Sequence, residues 1–115
     1  MATDLYIVNL ENGMPTVLQA RQLLEQALRT ARARRCPAIK IIHGYGSSGK
    51  GGAIKRDVLS LLAQKKHSGQ IRCFVPGGDF SPFSASARTI LDACPALAKD
   101  RDYNRGNDGI TIVLL

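Results

Sequence analysis

Several features that mark other classes of protein are scarce or missing in this sequence of 115 residues. Its three cysteines, Cys36, Cys73 and Cys94, are an odd number without C-x-x-C spacing, so neither a disulfide framework nor a zinc site is indicated. No apolar run approaches the roughly 20 residues that a membrane span needs. Residues 1–4 lack the basic-then-apolar pattern of a signal peptide. We therefore expect a cytosolic protein with no membrane partner and with reduced thiols.

Acidic residues are also scarce relative to basic ones. The chain has 9 Asp and Glu against 16 Lys and Arg, which gives a net charge of +7 and a pI near 9.8. This balance favours a polyanionic partner through attraction to phosphate. The hydrophobic content of 44% is ordinary for a globular protein. We expect one domain over residues 1–115, without repeats or linkers.

The stretch 41–52 stands out because an apolar run stops at a histidine and gives way to a glycine-rich loop. Residues 38–42 are apolar and β-branched, whereas residues 53–62 have helical spacing, so the order is strand, loop, helix. A helix that begins near Gly51 or Gly52 would direct its unpaired N–H groups towards the loop, where Lys50 adds a full charge. The stretch therefore predicts an anion site, and phosphate suits it.

The rest of the chain predicts an α/β fold. Strands are expected at 5–10, 38–43, 71–75 and 110–115. The first helix is expected to begin at Pro15 with Thr16 or Asn12 as cap, and to end before Pro37. The second ends at Ser68-Gly69, and a short third begins at Ser81-Pro82. Residues 99–109 are polar and predict an exposed, mobile loop. The order β-α-β-α-β-(α)-β implies a four-stranded mixed sheet with the first two helices on one face.

Two enzymatic interpretations of the glycine loop are poorly supported. Residues 44–51 nearly match a nucleotide-binding P-loop, but Gly51 stands where a Ser or Thr hydroxyl would bind magnesium. No strand ending in Asp is available to hold that metal. A serine hydrolase is also disfavoured, because the sequence has no G-x-S-x-G elbow.

Two residues of the loop each allow two interpretations. His43 either caps the loop by bonding its backbone, or faces a phosphate as a donor or general acid or base with an ordinary pKa of about 6.5. Tyr45, between two glycines, is either partly packed or an exposed surface on which a base stacks. The basic residues at the end of the first helix, Arg29, Arg32, Arg34 and Arg35, either complement the helix dipole or contact nucleic acid.

Residues 41–54 resemble the Smr family, the small MutS-related domain, in their apolar strand, His-Gly-x-Gly loop and helix. Thr16-Val17, Ala20, Leu24 and the last strand, 109–114, support the resemblance. It implies a two-layer α/β sandwich similar to the C-terminal domain of bacterial translation initiation factor three. It also implies binding to DNA or RNA, with nicking or RNA cleavage in some members.

The sequence departs from that family in two places. Where the family carries Leu-Asp-x-His, this chain has Val8-Asn9-Leu10-Glu11, so a carboxylate and an imidazole are lost together. Glu11 is a partial substitute as a base or metal ligand. The connection 77–108 is longer than the family's usual link, and its helix is expected to serve as a lid or a dimer surface.

The main hypothesis is a nucleic-acid-binding Smr-like domain, with DNA and RNA both open, that needs no cofactor for binding. The expected contacts are His43, Gly44, Tyr45, Gly46, Ser47, Ser48, Gly49, Lys50 and Gly51, flanked by Lys40, Lys55, Arg56 and the cluster Arg32 to Arg35. The enzyme alternative is an endonuclease or endoribonuclease with His43 and Glu11 as catalytic residues and Mg²⁺ as its candidate cofactor. A third is a protein-interaction module that forms a homodimer through the helix around Ile90 and Leu91.

Overall fold

The structure, a computed structural model, describes residues 5–45 and 49–115, except for the side chains of residues 49–51. Within these ranges the chain forms four strands and three α-helices. The strands are β1 (Leu5–Asn9), β2 (Ala38–Ile42), β3 (Cys73–Pro76) and β4 (Ile110–Leu114). The helices are α1 (Val17–Ala33), α2 (Gly49–His67) and α3 (Ala85–Ala93), and short 3-10 turns lie at Gly77–Asp79 and Pro95–Lys99. None of the helices in these ranges is long and apolar enough to cross a bilayer.

The strands form one mixed sheet in the order β1-β2-β4-β3. β1 and β2 are parallel, and β4 runs antiparallel to both β2 and β3. The carboxyl ends of the first three strands and the start of β4 therefore share one edge, which we call the loop edge. The opposite edge, the basal edge, contains the row Leu5, Ala38, Leu114 and Cys73. The predicted α/β class and four-stranded mixed sheet are confirmed.

One face of the sheet is covered by α1 and α2, as predicted. Alternate strand residues such as Ile39, Ile41 and Val113 point towards this layer and are fully buried. The helices contribute apolar stripes at helical spacing: Ala20, Leu24, Leu28 and Ala31 from α1, and Ile54, Val58 and Leu62 from α2. Burying each large aliphatic side chain stabilises the fold by about 1.5–3 kcal/mol. This packing fixes the direction of α2, and hence where its first turn lies.

The connection 77–108 covers the second face of the sheet. Phe80, Ile90 and Leu97 pack there against alternate strand residues, including Val75 and Ile112. The extra segment therefore adds a partial third layer to the two-layer core. Ile90 is fully buried in this layer, so the apolar surface that suggested a dimer contact is used inside the chain.

Side-chain caps place the helix boundaries differently from the sequence expectations. Thr16, one of the two predicted caps, caps α1 in a capping box with Gln19, so the helix begins at Val17, two residues after Pro15. Ser84 caps α3 by accepting from the N–H of Ala87 at 3.2 Å, which replaces the predicted start at Ser81-Pro82. α2 begins at Gly49 rather than at Gly51 or Gly52. β3 occupies Cys73–Pro76, two residues later than its predicted start.

Candidate functional site

The loop edge brings together the residues that the sequence singled out from two separate stretches. Asn9 pairs in register with Ile42, so the turn after β1 and the loop after β2 are neighbours. Ile42 also pairs with Ile110, which places the segment before β4 against the same loop. Glu11, His43 and Tyr45 thus share one edge because β1 and β2 are parallel.

The backbone at the start of the loop is held by Gly109. The carbonyl oxygen of Gly109 accepts from the N–H groups of both His43 and Gly44 at 3.0 Å. Gly44 itself has φ +80, in the left-handed region that favours glycine. A Cβ on Gly44 would meet the Oε2 atom of Glu11, so the missing side chain leaves room for that carboxylate. The chain therefore turns sharply at Gly44, with Glu11 directly beside it.

The ring of His43 is buried, with 2% of the residue exposed, and both of its nitrogens are bonded within the chain. Nδ1 lies 2.8 Å from the carbonyl oxygen of Gly44, and Nε2 lies 2.8 Å from the hydroxyl of Thr111. Because a carbonyl can only accept, we assign the proton to Nδ1, and the Thr111 hydroxyl then donates to Nε2. This geometry is the capping arrangement, and a bond from the ring to phosphate would require one of these bonds to break.

The surroundings of His43 also favour its neutral form. Burial lowers the pKa of His43 below the ordinary value of 6.5, and the charge of Lys55 lowers it further. The Gly44 carbonyl and the charge of Glu11 act in the opposite direction without outweighing burial. At neutral pH the ring is therefore uncharged, and its hydrogen bonds hold it in one position between β2 and β4.

The turn after β1 is built by Asn9 and carries Glu11. The side-chain oxygen of Asn9 accepts from the N–H groups of Glu11 at 2.8 Å and Asn12 at 3.0 Å. An aspartate at this position would accept the same two bonds, so asparagine keeps the turn while removing a charge. Glu11 is exposed at the loop edge. It is the carboxylate that the turn presents beside Gly44.

Tyr45 provides an exposed aromatic ring at the same edge. The residue is 68% exposed, and a Cβ on Gly109 would lie 3.6 Å from its Cε1 atom. The ring therefore lies close to the start of β4 while most of its surface faces solvent. This arrangement supports the stacking interpretation of Tyr45 over the packed one.

The central part of the glycine loop lies outside the described residues. This applies to Gly46, Ser47 and Ser48, and to the side chains of Gly49, Lys50 and Gly51. The backbone from Gly49 onward forms the first turn of α2, which contains no acidic residue. Beyond it, Lys55 is half-buried near His43 and Arg56 is exposed. The predicted strand-loop-helix order places the start of α2 directly after the loop.

Lys40, which the sequence suggested as a flanking contact, is buried within the connection. It alternates with Ile39 and Ile41 along β2 and so points to the α3 face of the sheet, away from α1 and α2. Its Nζ lies 2.9 Å from Asp100 and also pairs with Asp102. A buried ammonium neutralised by two carboxylates cannot flank a loop as a free charge. The position argues against a phosphate contact by Lys40.

The same ion pair buries part of the segment 99–109, which was expected to be exposed throughout and of which six residues are exposed. Asp102 is buried and accepts a bond of 2.8 Å from the amide of Asn107. Burial raises the pKa of Asp102, but the bond from Asn107 and the charge of Lys40 outweigh it, and the net pKa is lowered. Asn107 in turn accepts from the N–H of Gly109 at 2.9 Å. A chain of contacts therefore runs from Lys40 to the residue that holds the loop.

Sequence reasoning missed Thr111, Asn107 and Gly109 as parts of the site. The only local signal was Asn107-Asp108-Gly109, a turn pattern directly before a strand. Their link to His43 depends on the pairing of β4 beside β2, which no local pattern reveals.

The arginines at the end of α1 also lie away from the loop. α1 ends at Ala33 and β2 begins at Ala38 on the basal edge, so Arg32, Arg34 and Arg35 lie at the opposite end of the sheet. They cannot flank the glycine loop, because the whole length of β2 separates them from it.

The side chains that the structure describes do not form a Mg²⁺ cage. Among the side chains that the structure describes, no three of the His, Cys, Asp or Glu type converge as metal ligands. Glu11 is the carboxylate that lies beside Gly44.

Comparison with known proteins places these features in a family. The family model for the Smr domain matches residues 12–77, which run from the turn before α1 through β3 and include the whole glycine loop. The crystal structure of the Smr domain of Thermus thermophilus MutS2 has a similar fold, with a TM-score of 0.58 and 24% sequence identity over 96% of each chain. No curated protein matches. Because the family model covers more than half of the chain, the protein belongs to the Smr domain family.

Proposed function

We propose that this domain binds DNA or RNA, and that the loop edge grips the phosphate backbone. The observation that carries the proposal is the arrangement at His43, Gly44 and Tyr45: a loop pinned by Gly109 leads into the first turn of α2 beside an exposed aromatic ring. Membership of the Smr family and the net charge of +7 support the same class of ligand.

The first turn of α2 supplies the phosphate contact. The first N–H groups of a helix have no partner inside the helix, and the dipole makes that end positive. No carboxylate in the turn opposes an anion, and Lys50 adds one positive charge in sequence. The glycines at 46, 49 and 51 carry no side chain that would keep a phosphate away from the backbone.

Tyr45 supplies a stacking surface for a base next to the gripped phosphate. Stacking on an aromatic side chain contributes about 1–3 kcal/mol per base. This stacking does not require a particular base, because every base has a π-face. Lys55 and Arg56 follow one turn later on α2 and extend the positive surface.

His43 acts as a positioning residue in this proposal. Its neutral ring joins the Gly44 carbonyl to Thr111 and so holds the turn at which the loop leaves the sheet. The ring does not touch the ligand. Its contribution is to keep the N–H groups of the loop in one orientation.

The test is a fluorescence anisotropy titration with labelled single-stranded and duplex DNA and RNA at several salt concentrations. Lys50→Ala with Tyr45→Ala should weaken binding at least tenfold. Phe83→Ala with Lys99→Ala is the matched control, because Phe83 is 90% exposed and both residues lie in the connection on the α3 side of the sheet. Binding that ignores salt, or equal losses in both double variants, would contradict the proposal.

A second candidate function is cleavage of the bound backbone, and the position of Glu11 favours it. Its exposed carboxylate lies beside Gly44, where it can take a proton from an attacking water or 2′-hydroxyl. The test is incubation with supercoiled plasmid and with structured RNA, with and without magnesium. Cleavage that is lost in Glu11→Gln while binding remains would establish a nuclease.

A further inference from the structure

We infer that the basal edge carries a second surface for the phosphate backbone, so that one nucleic-acid duplex contacts the domain at both ends of the α1–α2 layer. The inference rests on the proposed function and adds a second site to it. The surface, which we call the basal cluster, consists of five exposed cations: Arg32, Arg34, Arg35, Lys66 and Arg72.

The fold gathers these residues from two helix ends that are distant in sequence. α1 ends at Ala33 and α2 at His67, and each is followed by a strand that starts on the basal edge. The guanidinium of Arg32 donates to the carbonyl oxygen of Gln70, which ties the two ends together. The N–H of Arg72 donates to the carbonyl of Leu114 at 2.9 Å.

The electrostatics of Cys73 agree with this placement. Burial raises the pKa of the Cys73 thiol, and the charges of Lys66 and Arg72 act against that rise. Both cations therefore lie near the first residue of β3. At the β1 end of the basal edge, the guanidinium of Arg34 lies 5.6 Å from the ring centre of Tyr6. The cluster thus extends across the basal edge from β1 to β3.

The helix dipole does not account for all of these cations. Lys66 and Arg32 lie in the last turns of their helices, where a positive charge complements the negative end of the helix dipole. Arg72, however, lies beyond α2, next to β3. Around the described parts of α1 and α2, the nearby carboxylates pair elsewhere, Asp57 with Arg21 and Glu25 with Lys65. Among the described residues, no ion pair joins a carboxylate to a member of the basal cluster.

Arg35 stands at a backbone position at the end of α1 that glycine usually occupies. Its N–H bonds to Arg32 and that of Cys36 to Ala31, which is the Schellman arrangement at a helix end. Arg35 occupies the left-handed position of this motif with φ +58, where glycine is usual. A non-glycine residue in this region is strained, so Arg35→Gly should relieve the strain while it removes one charge of the cluster.

The two sites are spaced for one extended ligand. α2 has 19 residues, so at 1.5 Å per residue it separates the loop edge from the basal edge by about 28 Å. A duplex that rises about 3.4 Å per base pair needs roughly eight base pairs to span this distance. Shorter duplexes can reach one site at a time. The inference therefore predicts that affinity depends on length.

The test uses DNA hairpins with stems of 6, 12 and 24 base pairs. Their affinities for the protein are compared in fluorescence anisotropy titrations at several salt concentrations. The basal variant is Arg35→Gly with Lys66→Gln and Arg72→Gln, in which the glycine suits the left-handed backbone. The control is Arg88→Gln with Lys99→Gln and Arg101→Gln, three exposed cations of the connection with the same loss of charge. Circular dichroism confirms that both are folded.

We expect the basal variant to bind the 24-base-pair stem at least tenfold more weakly, with less than a twofold loss on the 6-base-pair stem. Each lost phosphate contact should reduce the slope of log affinity against log salt by about 0.9. Unchanged affinity for long stems, or an equal loss in the control, would overturn the inference. The loop variant Lys50→Ala with Tyr45→Ala separates the two proposals, because it should weaken binding to all three stems. If it changes nothing while the basal variant abolishes binding, the loop proposal fails and the basal site stands.

Discussion

Nε2 of His43 lies 2.8 Å from the hydroxyl oxygen of Thr111, and this buried bond joins the end of β2 to the second residue of β4. Thr111 is completely buried, so its hydroxyl has been withdrawn from water to make the contact. The Gly44 carbonyl fixes which tautomer the imidazole adopts, and the bond to Thr111 fixes where the loop begins. It therefore couples the stability of the sheet to the geometry of the candidate site.

Removing the hydroxyl should leave the imidazole with an unpaired nitrogen. Thr111→Val keeps the shape of the side chain but deletes the donor to Nε2, and an unsatisfied buried polar group costs about 1–3 kcal/mol. Urea unfolding should show a loss of that size. Thr89→Val is the control, because Thr89 is exposed on α3 and should change stability by less than about 0.5 kcal/mol. Equal stabilities of the two variants would contradict the assigned bond.

Stability should fall as the solution is acidified below about pH 6.5. The folded pKa of His43 is lowered, so the unfolded chain binds a proton more readily. Its contribution is therefore complete above the unfolded pKa and is lost as pH falls through the folded pKa. Unfolding free energies between pH 8 and 5 should show this slope. The slope should shrink in His43→Gln and persist in His67→Gln, since His67 is exposed.

Replacing Lys40 should destabilise the fold without removing a ligand contact. Lys40→Met leaves Asp100 and Asp102 without their ammonium, and breaking a buried ion pair costs about 3–5 kcal/mol. Lys40→Met with Asp100→Asn and Asp102→Asn should recover part of the loss. The salt dependence of nucleic-acid binding should match wild type at a temperature where the variant is folded. A smaller slope of log affinity against log salt in Lys40→Met than in wild type would show instead that Lys40 contacts the phosphate backbone.

Two adjacent glycines should respond differently to alanine. A Cβ on Gly77 would collide with the backbone oxygen of Asn107, whereas one on Gly78 would meet the side chain of Asp108, which can move. Gly77→Ala should therefore cost about 1–3 kcal/mol through overpacking. Gly78→Ala should cost clearly less in the same thermal unfolding measurement. Similar losses of stability in the two variants would show that the segment 107–109 moves to accommodate the added Cβ.

Local patterns predicted much of the fold because its elements depend on neighbouring residues. The stripe Ala20, Leu24 and Leu28 predicts which side of α1 is buried, and the run 38–42 predicts a strand. Ser81 and Ser84 show where such patterns fail, since both suit a cap and only the packing of α3 selects Ser84. Lys40 looked like a surface cation because its partners, Asp100 and Asp102, lie 60 residues or more along the chain.

The site was predicted in the same uneven way. The strand-loop-helix order placed Gly44 and Tyr45 at the sheet edge, and the parallel strands brought Glu11 beside them. The state of His43 was open in the sequence because only one of its two ring partners, the Gly44 carbonyl, is a neighbour in the chain, whereas the other depends on how β4 pairs. That second partner, Thr111, is 68 residues away.

β4 lies between β2 and β3 although it is the last strand in the sequence. During synthesis, the glycine loop therefore emerges well before Gly109 and Thr111, the residues that shape its beginning. Contacts of such long sequence separation form late, because closing a long loop costs entropy before the stabilising contacts that offset this cost have formed. A nascent chain that has reached only residue 77 would carry the whole family motif and still lack the strand that holds it. The glycine loop should therefore become able to bind its ligand only when β4 has completed the sheet.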